Sequence, residues 1–298
     1  MENSNKNSNS TKLARTVSAN GLVLPVIGQG CWNIGDDPAK STDEEASLRL
    51  GVSLGMNLID TAEMYGDGAS EELVGRAMRG IPRSEYMICT KVLPHNAGKE
   101  RIFKSCDASL RRLRTDYIDL YLLHWRGDIP LEETVFCMEE LVRTGKIRRW
   151  GVSNFDVADM EELMAVPGGE NCAVDQVLYN LGSRGIEFDL LPWLKSRGIA
   201  VMAYCPLAQK GTLRRMSYDF EKNDVLRKVA DKYGVTIWQI MLAFTIRGGG
   251  VMAIPKAANP AHVRENRAAA DIVISAEDWA LLDSVFWPPT SKMHLDIE

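Results

Sequence analysis

Eight short apolar runs that alternate with polar turns and helical stretches predict an α/β fold closed as a (β/α)8 TIM barrel. Two further observations agree with this. The runs are continuously apolar more than alternating, as parallel strands covered on both faces are. The 298 residues suit either two average domains or one barrel, an architecture that commonly takes about 250 residues or more. A doubly wound open sheet is the structural alternative.

The elements follow in order. "RTVSANGLVL" reads as a small β-hairpin turning at Asn20 and Gly21, placed to plug one end of the barrel. The runs are "PVIGQG" (25–30), "MNLIDT" (56–61), "YMICTK" (86–91), "YIDLYLLH" (117–124), "RRWGVSN" (148–154), "AVDQVLYN" (173–180), "IAVMAYC" (199–205) and "GVMAIPK" (250–256). A helical stretch over 41–55 opens with Ser41 and Glu44 spaced as a capping box and has apolar positions at Leu48, Val52 and Leu54. Others cover 101–113, 131–145, 156–166, 189–198 and 224–234, the second of these ending at Gly145 in the place of a C′ glycine. An extra C-terminal helix covers 275–286.

Residues 1–10, "MENSNKNSNS", bury too little to order themselves and read as a disordered polar tail, which leaves 11–298 as a single barrel domain. The net charge of −5 comes without a block of like charge, so no nucleic-acid partner is expected, and no basic amphipathic segment points to a membrane surface. No apolar run approaches the roughly 18 residues of a membrane span, and no export signal is evident. A cytoplasmic protein is expected. Cys31, Cys89, Cys106, Cys137, Cys172 and Cys205 form no C-x-x-C pair and read as free thiols in a reducing compartment. His95, His124, His262 and His294 lack metal-type spacing, so no metal site is expected. No apolar stripe or heptad suggests an oligomer, and a monomer is expected.

In a barrel of this kind the active site lies at the C-terminal ends of the strands. The last polar residues of the runs are Asp60, Lys91, His124, Ser153 with Asn154, Gln176, Tyr204 and Lys256; Tyr65 lies in the loop after Asp60. Each alone has an ordinary explanation. An Asp before a Thr is commonly a turn residue, a lone His a satisfied core residue, and Lys256 a surface lysine. Lys91 is harder to dismiss, because an ammonium ending an apolar strand needs a partner. Asp60, one strand away, would supply it, although such a pair can be purely structural. "GQGCWNIG" opens like a dinucleotide fingerprint at Gly28 and Gly30, but Asn33 follows and the match is partial.

Seven motifs in order, "LIDTAEMYGDGASEELVG", "CTKV", "YIDLYLLHW", "KIRRWGVSNF", "DQVLYN", "AYCPLA" and "IPKAANPAHVRENRAA", make the chain resemble the aldo-keto reductase superfamily from about Arg15 onward. Within it the chain most resembles a bacterial branch that reduces methylglyoxal and similar small aldehydes. The resemblance implies NADPH-dependent reduction of a small-molecule carbonyl by a catalytic tetrad of Asp60, Tyr65, Lys91 and His124. Tyr65 would give a proton to the carbonyl oxygen as nicotinamide delivers hydride to the carbon. A phenol near pKa ~10 is a poor acid at pH 7. The expectation is that the Lys91 ammonium lowers that value, with Asp60 keeping Lys91 charged and His124 neutral in the oxyanion region.

The resemblance also implies how the cofactor is held. Gly30, Cys31 and Trp32 would approach the nicotinamide ribose. Ser153, Asn154 and Gln176 would bind the carboxamide, and Tyr204 would stack on the ring. Backbone amides around Leu207, Gln209 and Gly211 would reach the pyrophosphate. Lys256 would meet the 2′-phosphate, and Glu265 with Asn266 the adenine. Ala257 stands where a serine is common and His262 where an arginine often binds the 2′-phosphate; a neutral imidazole does not replace that planar cationic fork. NADPH is preferred because Lys256 is present, with NADH at lower efficiency.

Trp32 and Trp125, beside Tyr65 and His124, would wall the substrate pocket. The loop "WRGDIPLEE" and the tail "WPPTSKMHLDIE" are short, which suggests a shallow pocket for small aldehydes. Two alternatives remain at this level: a non-catalytic NADP(H)-binding regulatory subunit, and a sugar-phosphate barrel enzyme with no nicotinamide.

Overall fold

The structure, a computed structural model, describes residues 15–211 and 219–298, with the backbone alone of Lys210 and Gly211. The tail assigned to residues 1–10 lies outside the described residues.

Strands β1 (Thr16–Ala19) and β2 (Leu22–Pro25) pair antiparallel, Ala19 opposite Leu22. Between them Asn20 and Gly21 have φ of 41° and 84°. Two left-handed residues make the two-residue turn that matches strand twist, and Asn-Gly is the pair that adopts it most readily. Val17, Ala19 and Leu24 pack in one cluster with Leu58, Val174 and Ala200, which begin barrel strands. The hairpin therefore plugs the N-terminal end, opposite the chemistry.

The barrel strands are β3 (Gln29–Gly30), β4 (Leu58–Asp60), β5 (Met87–Val92), β6 (Ile118–Leu123), β7 (Ile147–Ser153), β8 (Val174–Leu178), β9 (Ala200–Tyr204) and β10 (Val251–Ala253). They are parallel neighbours in sequential order. Parallel bridges from Ile27 to Ala253 and from Gly30 to Lys256 close the seam, with Gly28 N donating to Ala253 O at 2.9 Å. The sheet is thus a closed (β/α)8 barrel, not an open one. A Cβ on Gly30 would lie 2.6 Å from Ile254 O, so glycine is what lets the seam strands approach. The partial fingerprint at Gly28 and Gly30 marks this seam.

Strand period sorts the side chains into two layers. Leu58, Cys89, Leu122, Val174 and Met202 belong to the cluster that includes the plug; Ile59, Ile88, Tyr121, Val177 and Val201 belong to the cluster under the helices.

The helices are α1 (Ser41–Ser53), α2 (Ala69–Ala77), α3 (Ile102–Leu113), α4 (Leu131–Arg143), α5 (Val157–Met164), α6 (Leu190–Ser196), α7 (Ala208–Gly211), α8 (Asp224–Tyr233), α9 (Ile237–Thr245), α10 (Pro260–Ala269) and the extra α11 (Ala276–Asp283). Gly145 follows α4 with φ 75° and donates to Val142 O, as a C′ glycine does. The capping box expected at Ser41 does not form. Asp37 caps a 3-10 turn (Pro38–Lys40) that leads into α1. Glu44 instead turns inward, where its Oε2 accepts from Gly35 N at 3.0 Å. Sequence pattern missed α9, whose residues 239–245 are all buried. A helix covered on every side has no polar stripe to reveal its period.

Candidate active site

Alternation along the strands dictates which polar residues meet. Asp60 lies two residues beyond Leu58, Lys91 beyond Cys89, His124 beyond Leu122, Gln176 beyond Val174 and Tyr204 beyond Met202. Each therefore shares its strand face with an interior apolar residue and sits one layer nearer the C-terminal mouth.

Lys91 Nζ donates to Asp60 Oδ2 at 2.9 Å, to Thr61 O at 2.8 Å and to Tyr65 Oη at 3.1 Å. All three donor positions of the ammonium are used, and Lys91 is wholly buried. Asp60, Tyr65 and His124 are buried as well. The other Asp60 oxygen, Oδ1, accepts from Gln176 Nε2 at 2.8 Å. Tyr65 is carried on a 3-10 turn (Tyr65–Gly68). Its ring lies 5.8 Å from that of His124 and 4.8 Å, edge on, from that of Trp32; the rings of His124 and Trp125 are 4.9 Å apart.

The network continues around the rim. Ser153 Oγ donates to Gln176 O at 2.8 Å. Asn154 Nδ2 donates to Ser153 Oγ at 3.2 Å and to His124 O at 3.3 Å. Tyr204 Oη donates to Asn154 Oδ1 at 2.9 Å and accepts from Glu298 N. A connected set of polar groups thus runs from Tyr204 to Tyr65. Sequence reading missed the Gln176–Asp60 link, the Thr61 carbonyl and the arrival of Glu298. These are tertiary pairings, and no local spacing announces them.

Burial pushes the Tyr65 phenol up to about 12, outweighing the downward pull of the Lys91 ammonium. The expected net lowering is therefore corrected: desolvation of the phenolate dominates, and the proton stays on Tyr65 at neutral pH. Burial also opposes charge on Lys91, but Asp60 and Tyr65 outweigh it and hold the ammonium above its ordinary range. Burial, with Lys91 adding to it, pulls His124 down to about 3, so this imidazole is neutral. Its Nδ1 has no hydrogen-bond partner among the described residues.

The remaining sequence candidates flank this network on the ends of β9 and β10. Leu207, Gln209 and Gly211 follow β9, where Ala208 and Gln209 have φ of 49° and 46°. Backbone N–H groups exposed in a turn can suit an anion. Lys256 is exposed beside the Gly30 bridge; Ala257, His262, Glu265 and Asn266 follow, the last three on α10. Asn266 is buried, and its Nδ2 has no partner among the described residues. Gly30, Cys31 and Trp32 enter the site from β3; Cys31 N donates to Asp60 O at 2.8 Å. Trp125 also lines a cleft of about 660 Å³ with Pro94, Arg126 and Ile129, and no tetrad residue lines it. No group of metal-ligating side chains that could hold an ion occurs among the described residues. No helix among them is long and apolar enough to cross a membrane.

Residues 26–286 match the model of the Aldo/keto reductase family. The chain belongs to that family. As an aldo/keto reductase it is 51% identical over 276 residues, 93% of this chain and 96% of the relative, to methylglyoxal reductase YeaE of Escherichia coli strain K12. A crystal structure of an aldo-keto reductase from Klebsiella pneumoniae in complex with NADPH superposes with a TM-score of 0.92 at 51% identity, covering 96% of this reductase and 100% of that chain. An NADH-specific methylglyoxal reductase of Escherichia coli strain K12 is 32% identical over 311 residues, 88% of this chain and 94% of the relative.

Proposed function

We propose that this oxidoreductase reduces small aldehydes and ketones of the methylglyoxal type to alcohols, with NADPH as the donor and NADH as a poorer one. The single observation that carries this is Lys91 Nζ held 2.9 Å from Asp60 and 3.1 Å from Tyr65 Oη, with His124 beside the phenol. The residues present fit the cofactor. The orphaned Asn266 amide, the left-handed Ala208–Gln209 pair and exposed Lys256 offer groups for adenine, pyrophosphate and 2′-phosphate. Ser153, Asn154 and Gln176 offer groups for a carboxamide, and Tyr204 a ring face. When bound, the cofactor supplies the hydride.

The chain's own residues supply the rest. Tyr65 Oη holds its proton at neutral pH and releases it to the carbonyl oxygen. Lys91 Nζ then stabilises the phenolate left behind, and Asp60 keeps that ammonium in place. Neutral His124 orients the carbonyl and, as an uncharged ring, does not compete as an acid. Trp32 and Trp125 wall the opening and exclude water. The names of relatives support the substrate class, and the Klebsiella complex supports NADPH. We read residues 11–298 as one domain, because both core clusters share Tyr204, Leu207 and Ile272. We also read the protein as cytoplasmic, which its free cysteines support, and as a monomer.

NADPH oxidation in the presence of methylglyoxal, and separately of 4-nitrobenzaldehyde, tests the function. Turnover of at least one is expected. NADPH binding with no turnover of either would replace this reading by a non-catalytic one.

A further inference from the structure

Residues 292–298 do not hang free. Lys292 Nζ pairs with Asp156 Oδ1 and with Asp189 Oδ2, carboxylates that cap α5 and α6. Met293 lies against Gly185, and Leu295 packs on the outer core cluster. Ser183 Oγ donates to Asp296 Oδ2. Glu298 N then donates to Tyr204 Oη at 3.3 Å. The segment is thus a strap across the ends of β7, β8 and β9, pinned at five points.

Its charge is one-sided. One ammonium, Lys292, is shared by Asp156 and Asp189. Asp296 and Glu298 have no ion-pair partner among the described residues, and Glu298 is exposed. The buried cations are already engaged, Lys91 by Asp60 and Arg184 by Glu187 and Asp283. The Glu298 backbone N–H meets Tyr204, which is linked through Asn154 to the His124 carbonyl. The strap that carries these carboxylates therefore ends on the rim of the mouth, at Tyr204.

We propose that this strap makes the mouth an electrostatic filter, with Glu298 the residue that disfavours anionic carbonyl compounds and so selects uncharged ones. The proposal rests on the carbonyl-reducing reading of the same site. Charges lining an entrance change the local concentration of a charged ligand, and salt screens the effect.

The test uses the full chain and compares methylglyoxal, which is uncharged, with glyoxylate and succinate semialdehyde, which are anionic. The readout is the ratio of kcat/KM for an anionic aldehyde to that for methylglyoxal within one variant, so a change in folding or cofactor affinity cancels. Glu298→Gln is expected to raise the ratio about 3-fold and Glu298→Lys about 10-fold, with both gains collapsing in about 0.5 M NaCl. A ratio that does not move in either variant, or that moves equally at high salt, overturns the filter while turnover of methylglyoxal leaves the site reading intact. A wild-type protein that reduces none of the three overturns both.

Discussion

Gln176 Nε2 donates to Asp60 Oδ1 at 2.8 Å, across the barrel interior and 116 residues along the chain. The amide proposed for a cofactor carboxamide thus also holds the carboxylate that engages Lys91. Gln176→Leu removes the donor at similar size. A hydrogen bond to a charged group is worth about 1.5–3 kcal/mol, so turnover at saturating NADPH is expected to fall roughly 10-fold or more. Steady-state kinetics beside NADPH fluorescence titration separates this from weaker binding. Unchanged kcat would show that Asp60 needs no second donor.

Neutral His124 has consequences for pH. With its folded value near 3 and an ordinary value near ~6.5, the ring titrates below the physiological range. The kcat of aldehyde reduction is expected to show no limb near pH 6.5. For stability the sign is worked from proton binding. Between these two values the unfolded chain binds the proton and the folded chain does not, so stability falls as pH drops from about 6.5 towards 3. Urea unfolding of His124→Gln should show a shallower acid loss than wild type. A parallel loss would place the acid sensitivity elsewhere.

Asp175 is wholly buried, and neither oxygen makes a well-formed hydrogen bond among the described residues. Burial pushes its carboxyl well above the ordinary range, against a weaker downward pull from the Phe155 backbone. The folded state then holds a proton that the unfolded state releases above about pH 4, so Asp175 costs stability as pH rises through that point. Asp175→Asn is expected to raise Tm at pH 7 by about 2–4 °C for each kcal/mol recovered, and to give no gain near pH 3. A lower Tm at pH 7 would mean that the carboxyl has a partner that matters.

Lys256 stands exposed just beyond β10, and His262 follows on α10. If Lys256 is the main group for the 2′-phosphate, Lys256→Ala should lower kcat/KM for NADPH about 10-fold or more and leave that for NADH nearly unchanged. Wild type should favour NADPH. A clear preference of wild type for NADH would refute the assignment.

Much of the barrel is legible in the sequence because parallel strands buried on both faces leave continuous apolar runs, and Asn20-Gly21 can hardly be anything but a tight turn. The rim residues are legible for the same reason: Asp60, Lys91 and His124 interrupt apolar runs at their ends. What is hidden is decided by tertiary surroundings. Glu44 had the spacing of a cap yet serves Gly35, because a 3-10 turn runs straight into α1 and leaves no side-chain cap at its start. Helix α9 carries no period because every side of it is covered. The direction of the Tyr65 shift depended on how deeply the phenol is buried, and a neighbouring lysine in the sequence says nothing about that. The strap over Tyr204 joins segments 94 residues apart.

The central claim is that Tyr65 Oη is the proton donor, kept in its acid form by burial and served by Lys91. The most direct measurement is single-turnover reduction of methylglyoxal by Tyr65→Phe, with NADPH affinity measured in parallel. The expected result is retained NADPH binding and a loss of roughly 10²–10⁴-fold in rate. Undiminished reduction by that variant would contradict the account and remove the phenol from the chemistry.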